Sequence, residues 1–348
     1  MSDRIAQNKQ FITDLFLGDF RGHGVIMEAE PLPTDYSCGD VSISDKPVDE
    51  FVDLFVKTYE KRLERHLLLE DDSVPYASPA TGTECFAAAF GCPVHTYDDS
   101  PPCALPLVST PEEADRLISP GLVAEPMQRI LEAVQKLRDR LGPDVPISVP
   151  DMQSPFDIAA LIWRKEDLFI AMCDAPDSVK RLTQECYELQ TAFIDQLMKI
   201  APNCNLCHCP QMWAPLEMGA WVSEDEAGSL SVDMFEEFCL PTLETLSNRY
   251  GGISLHCCAT ADHQYSSFKK IPKLRGLNRV FQTPGAKPAI NAFAGETVLI
   301  TAWFPEEFIN EMLDLAVPGS RFMFTMPYLP DEEAKPQLER LMRRICRA

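Results

Sequence analysis

Short apolar runs alternate with helix-length amphipathic stretches along the whole chain, and this rhythm constrains the fold more than any other feature. Apolar runs occur at 24–27, from 74, at 145–150, from 204, and at 253–255, 277–281, 297–301 and 321–325. Helical spacing occupies 1–22, 47–72, 120–141, 177–200, 231–250, 305–316 and 331–346. The stretch 177–200 is the clearest: Val179, Leu182, Cys186, Leu189, Phe193 and Leu197 form one stripe at helical period, which places Cys186 in the core. About eight strand-helix units in sequence predict parallel β/α pairing, and that number favours a closed ring over an open sheet. The predicted class is therefore α/β, a (β/α)8 TIM barrel with an N-terminal helical extension at 1–22. One domain covering 1–348 is the simplest organisation, since no linker and no phosphate-loop or dinucleotide glycine motif interrupts the chain.

In such a barrel the residues that leave the carboxyl end of a strand face the active site. The stretch Gly251-Gly252-Ile253-Ser254-Leu255-His256-Cys257-Cys258 ends a helix at its glycine pair, runs through three apolar positions and stops at one His and two Cys. His256 and Cys258 lie two apart, so on a strand they leave on one side while Cys257 turns into packing. An imidazole beside a thiolate suits Zn²⁺. The bland alternative is a core histidine with two buried thiols. Other strand exits carry Glu28-Ala29-Glu30, Glu84, Asp151-Met152-Gln153 and His208 to Trp213. Cys204-Asn205-Leu206-Cys207 is a literal C-x-x-C, but no second pair accompanies it, so it reads as a strand whose exit lines a pocket. Asp98-Asp99 falls in a Pro-rich connection, and Glu224-Asp225-Glu226 reads as a solvated helix start.

Charge narrows the partners. Fifty-three acidic against 31 basic residues give a net charge of −22, which argues against nucleic acid and against an anionic membrane surface. A basic or neutral protein partner, or an uncharged substrate, fits better. No apolar run approaches the roughly 20 residues of a membrane span, and the polar start MSDRIAQNKQ carries no signal-peptide core. The 13 cysteines are scattered and odd in number. Together these predict a cytoplasmic protein with buried thiols and no disulfide framework.

Several pieces fall in the order found in the uroporphyrinogen decarboxylase superfamily. They are Ala87 to Val94, Asp151-Met152-Gln153-Ser154-Pro155-Phe156-Asp157-Ile158, Val222-Ser223-Glu224-Asp225 through Ser231, Glu237 to Pro241, and Gly251-Gly252 through His256-Cys257-Cys258. The chain resembles that superfamily from about residue 20 to its end. Within it, His256-Cys257-Cys258 is similar to the His-x-Cys of the zinc-dependent, corrinoid-linked methyltransferases. The first-strand region Gly24 to Glu30 is acidic, unlike the Arg-rich segment with which the decarboxylases hold substrate carboxylates.

The resemblance implies a methyltransferase that takes a methyl group from a methylated small molecule and gives it to a corrinoid (cobalamin) carried by a partner protein. A phenyl methyl ether (O-demethylation) fits best, because an aromatic pocket and few basic groups suit an uncharged aromatic, with a methylamine or betaine as the alternatives. The resemblance also implies Zn²⁺ on His256 and Cys258. The Cys that coenzyme M-type relatives supply from the last strand is missing here, where the chain reads Phe324-Thr325-Met326-Pro327-Tyr328, and Cys346 sits too late. Glu28, Glu84, Asp151 and Cys209 are the candidates for a third ligand, with Glu84 adopted. Asp151 and His256 are the expected catalytic residues; Gln153, His208, Met212, Trp213 and Tyr328 are expected to bind substrate. The rivals are a metal-free decarboxylase-like lyase using Asp151 as acid and base, and a non-catalytic barrel that binds a corrinoid partner.

Overall fold

The computed structural model describes residues 2–29, 47–97, 100–281 and 283–345. Glu30, Asp98, Asp99 and Cys346 from the sequence reading lie outside the described residues. The chain opens on helix Ser2–Leu17 (α1) and enters strand His23–Met27 (β1). The two-residue strands Val94–His95 (β2) and Cys103–Ala104 (β3) pair with each other as an antiparallel hairpin. Five more strands follow: Ala220–Ser223 (β4), Ile253–Cys257 (β5), Leu274–Arg279 (β6), Val298–Thr301 (β7) and Phe322–Met326 (β8). These five and β1 form one parallel sheet in the order β1-β8-β7-β6-β5-β4.

Short extended segments carry the ring from β1 round to β4. Asp72 N–H donates to Val25 O at 2.9 Å, and single parallel bridges join Ala77 to Ile147, Ser148 to Asn205 and Gln153 to Ser223. Proline explains why these segments do not grow into full strands. Pro75, Pro79, Pro146 and Pro150 flank the two bridging segments, and each removes a ladder donor. The architecture is the expected TIM barrel with its N-terminal helix, drawn tight on one side and irregular on the other.

The pleat divides the apolar residues into two cores. Ile26, Trp221, Ile300 and Met323 point into the bore, where Ile12, Leu15 and Phe16 of α1 meet them. Phe16 packs edge-on against Trp221 at 6.5 Å. Their strand neighbours Val25, Val222, Leu255, Leu277, Leu299 and Phe324 point outward, into the layer beneath the helices. The Pro176–Ile200 helix belongs to that layer, and its stripe from Val179 to Leu197, Cys186 included, is fully buried. No helix among the described residues is long and apolar enough to cross a membrane.

Two positions test this packing. Gly219 enters β4 at φ +81°, and a Cβ there would stand 1.9 Å from Gly252 O. Gly219→Ala is expected to destabilise the protein by about 3 kcal/mol or more, measured by denaturant unfolding. His23 stacks on Phe322 at 4.6 Å, and burial holds its imidazole down at about 4. The folded state therefore favours the neutral ring. That contribution is complete above the ordinary value of 6.5 and is lost as pH falls from 6.5 toward 4, up to about 3 kcal/mol. Unfolding measured across that window is expected to be less pH-dependent in His23→Phe than in the parent.

Candidate active site

The carboxyl ends of β4, β5 and β6 build the site. Their register sets Ser223 level with His256, and His256 level with Asn278. His256 Nδ1 and Asn278 Oδ1 are 2.5 Å apart. The Asn278 amide cannot usefully flip, because its Nδ2 donates to Ile300 O at 2.7 Å. Its oxygen therefore faces the imidazole, Nδ1 carries the proton, and Nε2 presents a lone pair to the barrel mouth.

Three donors converge on that lone pair. One ligand atom each from Asp225, His256 and Cys258 lie within 4.8 Å of one another. Asp225 Oδ1 is 3.7 Å from His256 Nε2 and accepts the Cys258 backbone N–H at 2.6 Å. Cys209 Sγ stands 3.9 Å from the same nitrogen. Asp225 is held from below: its N–H donates to Asp157 Oδ2 at 2.6 Å, and the next N–H, of Glu226, donates to Asp157 Oδ1 at 3.2 Å. Asp157 follows a helix N-cap, since Ser154 Oγ accepts its N–H at 3.0 Å.

The electrostatics of this cluster are those of a site short of positive charge. Burial, then the Asp225 carboxylate, pushes the Cys258 thiol up to about 12. Burial, then Asp151 and Asp225, raises the Cys209 thiol further. A divalent cation among these groups would reverse each effect and draw off the thiol protons. One imidazole, one carboxylate and two thiols are donors that zinc accepts.

Asp151 and His208 complete the floor. Burial raises the Asp151 carboxyl to about 6, against a hydrogen bond from Gln153 Nε2 at 2.5 Å and the nearby His256. His208 Nδ1 accepts the Met152 N–H at 3.4 Å and stands 3.9 Å from Asp151 Oδ2. Its Nε2 meets Ser223 Oγ at 3.4 Å. Burial, then His256, holds its imidazole well below the usual range, so it is neutral. Its ring centre is 6.4 Å from that of His256.

Asp151, Gln153, His208, His256 and Cys258 are thus brought together as the sequence reading expects, and Cys257 is turned into the core. Three expectations need correction. Asp225, not Glu84, joins His256 and Cys258. The Glu84 carboxyl is buried beside Asp151 and raised to about 7, chiefly by burial. Glu224-Asp225-Glu226 does start a helix, the short turn Asp225–Gly228, but it is not solvated, since Glu224 is 0 % exposed and its N–H donates to His256 O at 2.8 Å. Tyr328 packs beneath the Arg65 guanidinium at 5.2 Å, against an outer cleft rather than beside His256. Asn278 and the short strand β4 were missed. Their sequence signal, three apolar residues before an acidic triplet and a lone Asn in an apolar run, is faint.

Met212 and Trp213 sit in the bore with Tyr76 and Trp221. They line a cleft open to solvent, with a cavity volume of about 30 Å³, shared with Met27, Glu28, Arg62 and Tyr76. Glu28 Oε1 accepts the Trp303 indole N–H at 3.1 Å. Trp303 holds a positive φ of 59° and is 54 % exposed, a strained and solvent-facing aromatic at the exit of β7.

Comparison with known proteins agrees with this architecture. A methyltransferase from Methanosarcina mazei shares the fold, with a TM-score of 0.61 at 16% sequence identity over 95% of this chain and 97% of the other. No curated protein matches the sequence. The family model described as uroporphyrinogen decarboxylase (URO-D) matches residues 81–278, a span that holds the Asp151 loop, β4 with Asp225, and His256 through Asn278. The chain belongs to the uroporphyrinogen decarboxylase family.

Proposed function

We propose that the protein is a methyltransferase that takes a methyl group from a methylated small molecule and passes it to a corrinoid carried by a partner protein, with zinc held at the barrel mouth. The observation that carries this reading is the meeting of Asp225, His256 and Cys258 donors within 4.8 Å, around an imidazole whose tautomer Asn278 fixes. Cys209 is placed to be a fourth ligand. Bound there, zinc supplies Lewis acidity toward the heteroatom that bears the methyl group. The similarity in fold to the Methanosarcina mazei methyltransferase supports the same reading.

The chain's own residues do the rest. A methyl ether or amine is a poor methyl donor until its heteroatom is polarised. Asp151, held near 6 and oriented by Gln153, is suited to give a proton to the departing oxygen or nitrogen and to recover it afterwards. Neutral His208 spaces Asp151 from His256 without adding charge. Tyr76, Trp213, Met27 and Met212 offer the aromatic and thioether walls that a phenyl methyl ether would contact.

One observation favours a second reading, a metal-free decarboxylase-like lyase: a buried carboxyl raised to about 6 is itself a workable acid and base. Two measurements separate the readings. Elemental analysis of protein purified without chelator is expected to give one zinc per chain, lost in Asp225→Ala and Cys258→Ala. Methyl transfer from phenyl methyl ethers to a corrinoid protein is expected to fall by about 10²-fold or more in the same variants. Metal-free protein that turns over fully after His256→Ala would establish the lyase, and binding of the corrinoid protein without turnover would establish a non-catalytic barrel. In Asn278→Ala the imidazole loses its orienting acceptor, and zinc affinity by competition with a chelator is expected to drop about 10- to 100-fold with the fold intact.

A further inference from the structure

The pocket beside the donor cluster carries opposite charges on its walls that do not satisfy one another. Glu28 leaves the carboxyl end of β1, and its one hydrogen-bonding side-chain partner is the Trp303 indole. Burial raises its carboxyl, and Arg62 works against that rise. Arg62 reaches the same pocket from the Val48–Leu68 helix. Its guanidinium lies over the Tyr76 ring at 4.1 Å and donates to two neutral acceptors, Tyr76 O at 3.2 Å and Gln211 Oε1 at 2.9 Å. No ion pair joins Glu28 to Arg62 among the described residues, and neither pairs with another charged side chain there. Arg65, which also lines the pocket, is already committed to Asp331 and to Leu329 O.

Both side chains are half-buried, and charges drawn even partly out of water are ordinarily paired. Two of opposite sign, facing one cavity and unpaired, are complementary to a ligand that brings both partners. We infer that the pocket takes a zwitterionic methyl donor of the amino-acid class, its carboxylate on Arg62 and its ammonium on Glu28. The surroundings agree. Arginine matches a carboxylate with a planar fork of donors. An ammonium beside Glu28 gains from a chain whose net charge is −22. Gln211, which lines the pocket and accepts from Arg62, is two residues from Cys209, whose Sγ stands 3.9 Å from His256 Nε2, so a head group seated there lies next to the donor cluster. The inference rests on the methyl-transfer reading for what the ligand carries at its other end. The recognition of its head does not depend on that reading.

The test is calorimetric binding to the purified full chain, without corrinoid partner, of four matched probes: O-methyl-L-tyrosine, 4-methoxyphenethylamine, 3-(4-methoxyphenyl)propanoate and 4-methylanisole. They present both charges, the ammonium alone, the carboxylate alone and neither. The zwitterion is expected to bind at least about tenfold more tightly than either singly charged probe, and the neutral ether most weakly. Glu28→Gln is expected to abolish the advantage over the propanoate and keep the advantage over the amine. Arg62→Gln is expected to do the reverse, and this reciprocity separates recognition from a general loss of fold. Equal binding of all four probes, a zwitterion no tighter than the better single-charge probe, or no binding by any probe overturns the inference. Zwitterion binding without methyl transfer to a corrinoid protein would overturn the proposed reaction and leave this inference standing. Methyl transfer from the neutral ether with no effect of the head groups would do the opposite.

Discussion

One hydrogen bond, from His256 Nδ1–H to Asn278 Oδ1, decides what the barrel mouth can hold. It depends in turn on a one-residue slip between β5 and β6. Ile253 pairs with Leu274, but Ser254 pairs with Gly276 and not with Arg275. Without that irregularity Leu277 would stand level with His256, and the imidazole would face a hydrocarbon side chain. With it, the amide of Asn278 arrives at the ring. A glycine makes the slip tolerable, because a Cβ at position 276 would stand 2.8 Å from the Ile300 side chain and 3.0 Å from Ser254 Oγ. Bulges that re-aim a side chain are found beside active sites for this reason. Here the re-aimed group is not the ligand but the residue that orients it.

The same register gathers acids. Asp225 and Glu224 follow β4, Asp157 sits beneath them, and Asp151 faces them across His208. Each is largely buried or pressed against a neighbour of like charge, and the raised carboxyl of Asp151 and the raised thiols of Cys209 and Cys258 are the result. Like charges crowded in a low dielectric are unfavourable unless something positive offsets them. The fixed cations around these acids are engaged elsewhere. Lys165 pairs with Glu226 at the edge of the cluster, Arg279 lies level with Cys257 with its guanidinium over the Tyr265 ring, and Arg62 lies in the neighbouring pocket. The acids gathered here belong to a chain whose net charge is −22, and a cluster of this sign is complementary to positive charge.

What was legible in the sequence follows from how local each signal is. The buried stripe from Val179 to Leu197 and the His256–Cys258 spacing are carried within a single element, and both hold in the structure. The Pro-flanked segments near Ala77 and Ile147 were readable as strands only in part, since proline leaves them isolated bridges, one at Ala77 and two at Ile147-Ser148. Strand β4 offers only Ala220, Trp221 and Val222 before the acidic triplet, and such triplets are ordinarily solvated. What buries this one is distant in sequence. Asp157 binds Asp225 across 68 residues and Cys258 binds it across 33. No periodicity records contacts of that kind, so the sequence narrows the third position to a residue at a strand exit, Glu28, Glu84, Asp151 or Cys209, and does not reach Asp225. Tyr328 shows the converse. It leaves the correct end of β8, yet its ring turns outward to Arg65, because a residue beyond the strand no longer obeys the pleat.

The irregular side of the barrel also explains where the pocket lies. Between Asn205 and β4 the chain rises to Cys209 and then turns back, so that Met212, Trp213 and Ala214 fill the bore. Asn205, fully buried, staples this return: its Nδ2 donates to Met212 O at 2.5 Å, and its Oδ1 accepts the Ala214 N–H at 3.1 Å. The bore is thereby filled with backbone and large side chains. A small cleft lies between this return and the exit of β1, beside the Pro-flanked segment at Val74 to Tyr76. That is the pocket of Glu28 and Arg62. Trp303 flanks it without lining it: its indole N–H donates to Glu28 Oε1 at 3.1 Å and its backbone N–H to Thr325 O at 2.8 Å, so the exit of β7 is tied to both β1 and β8.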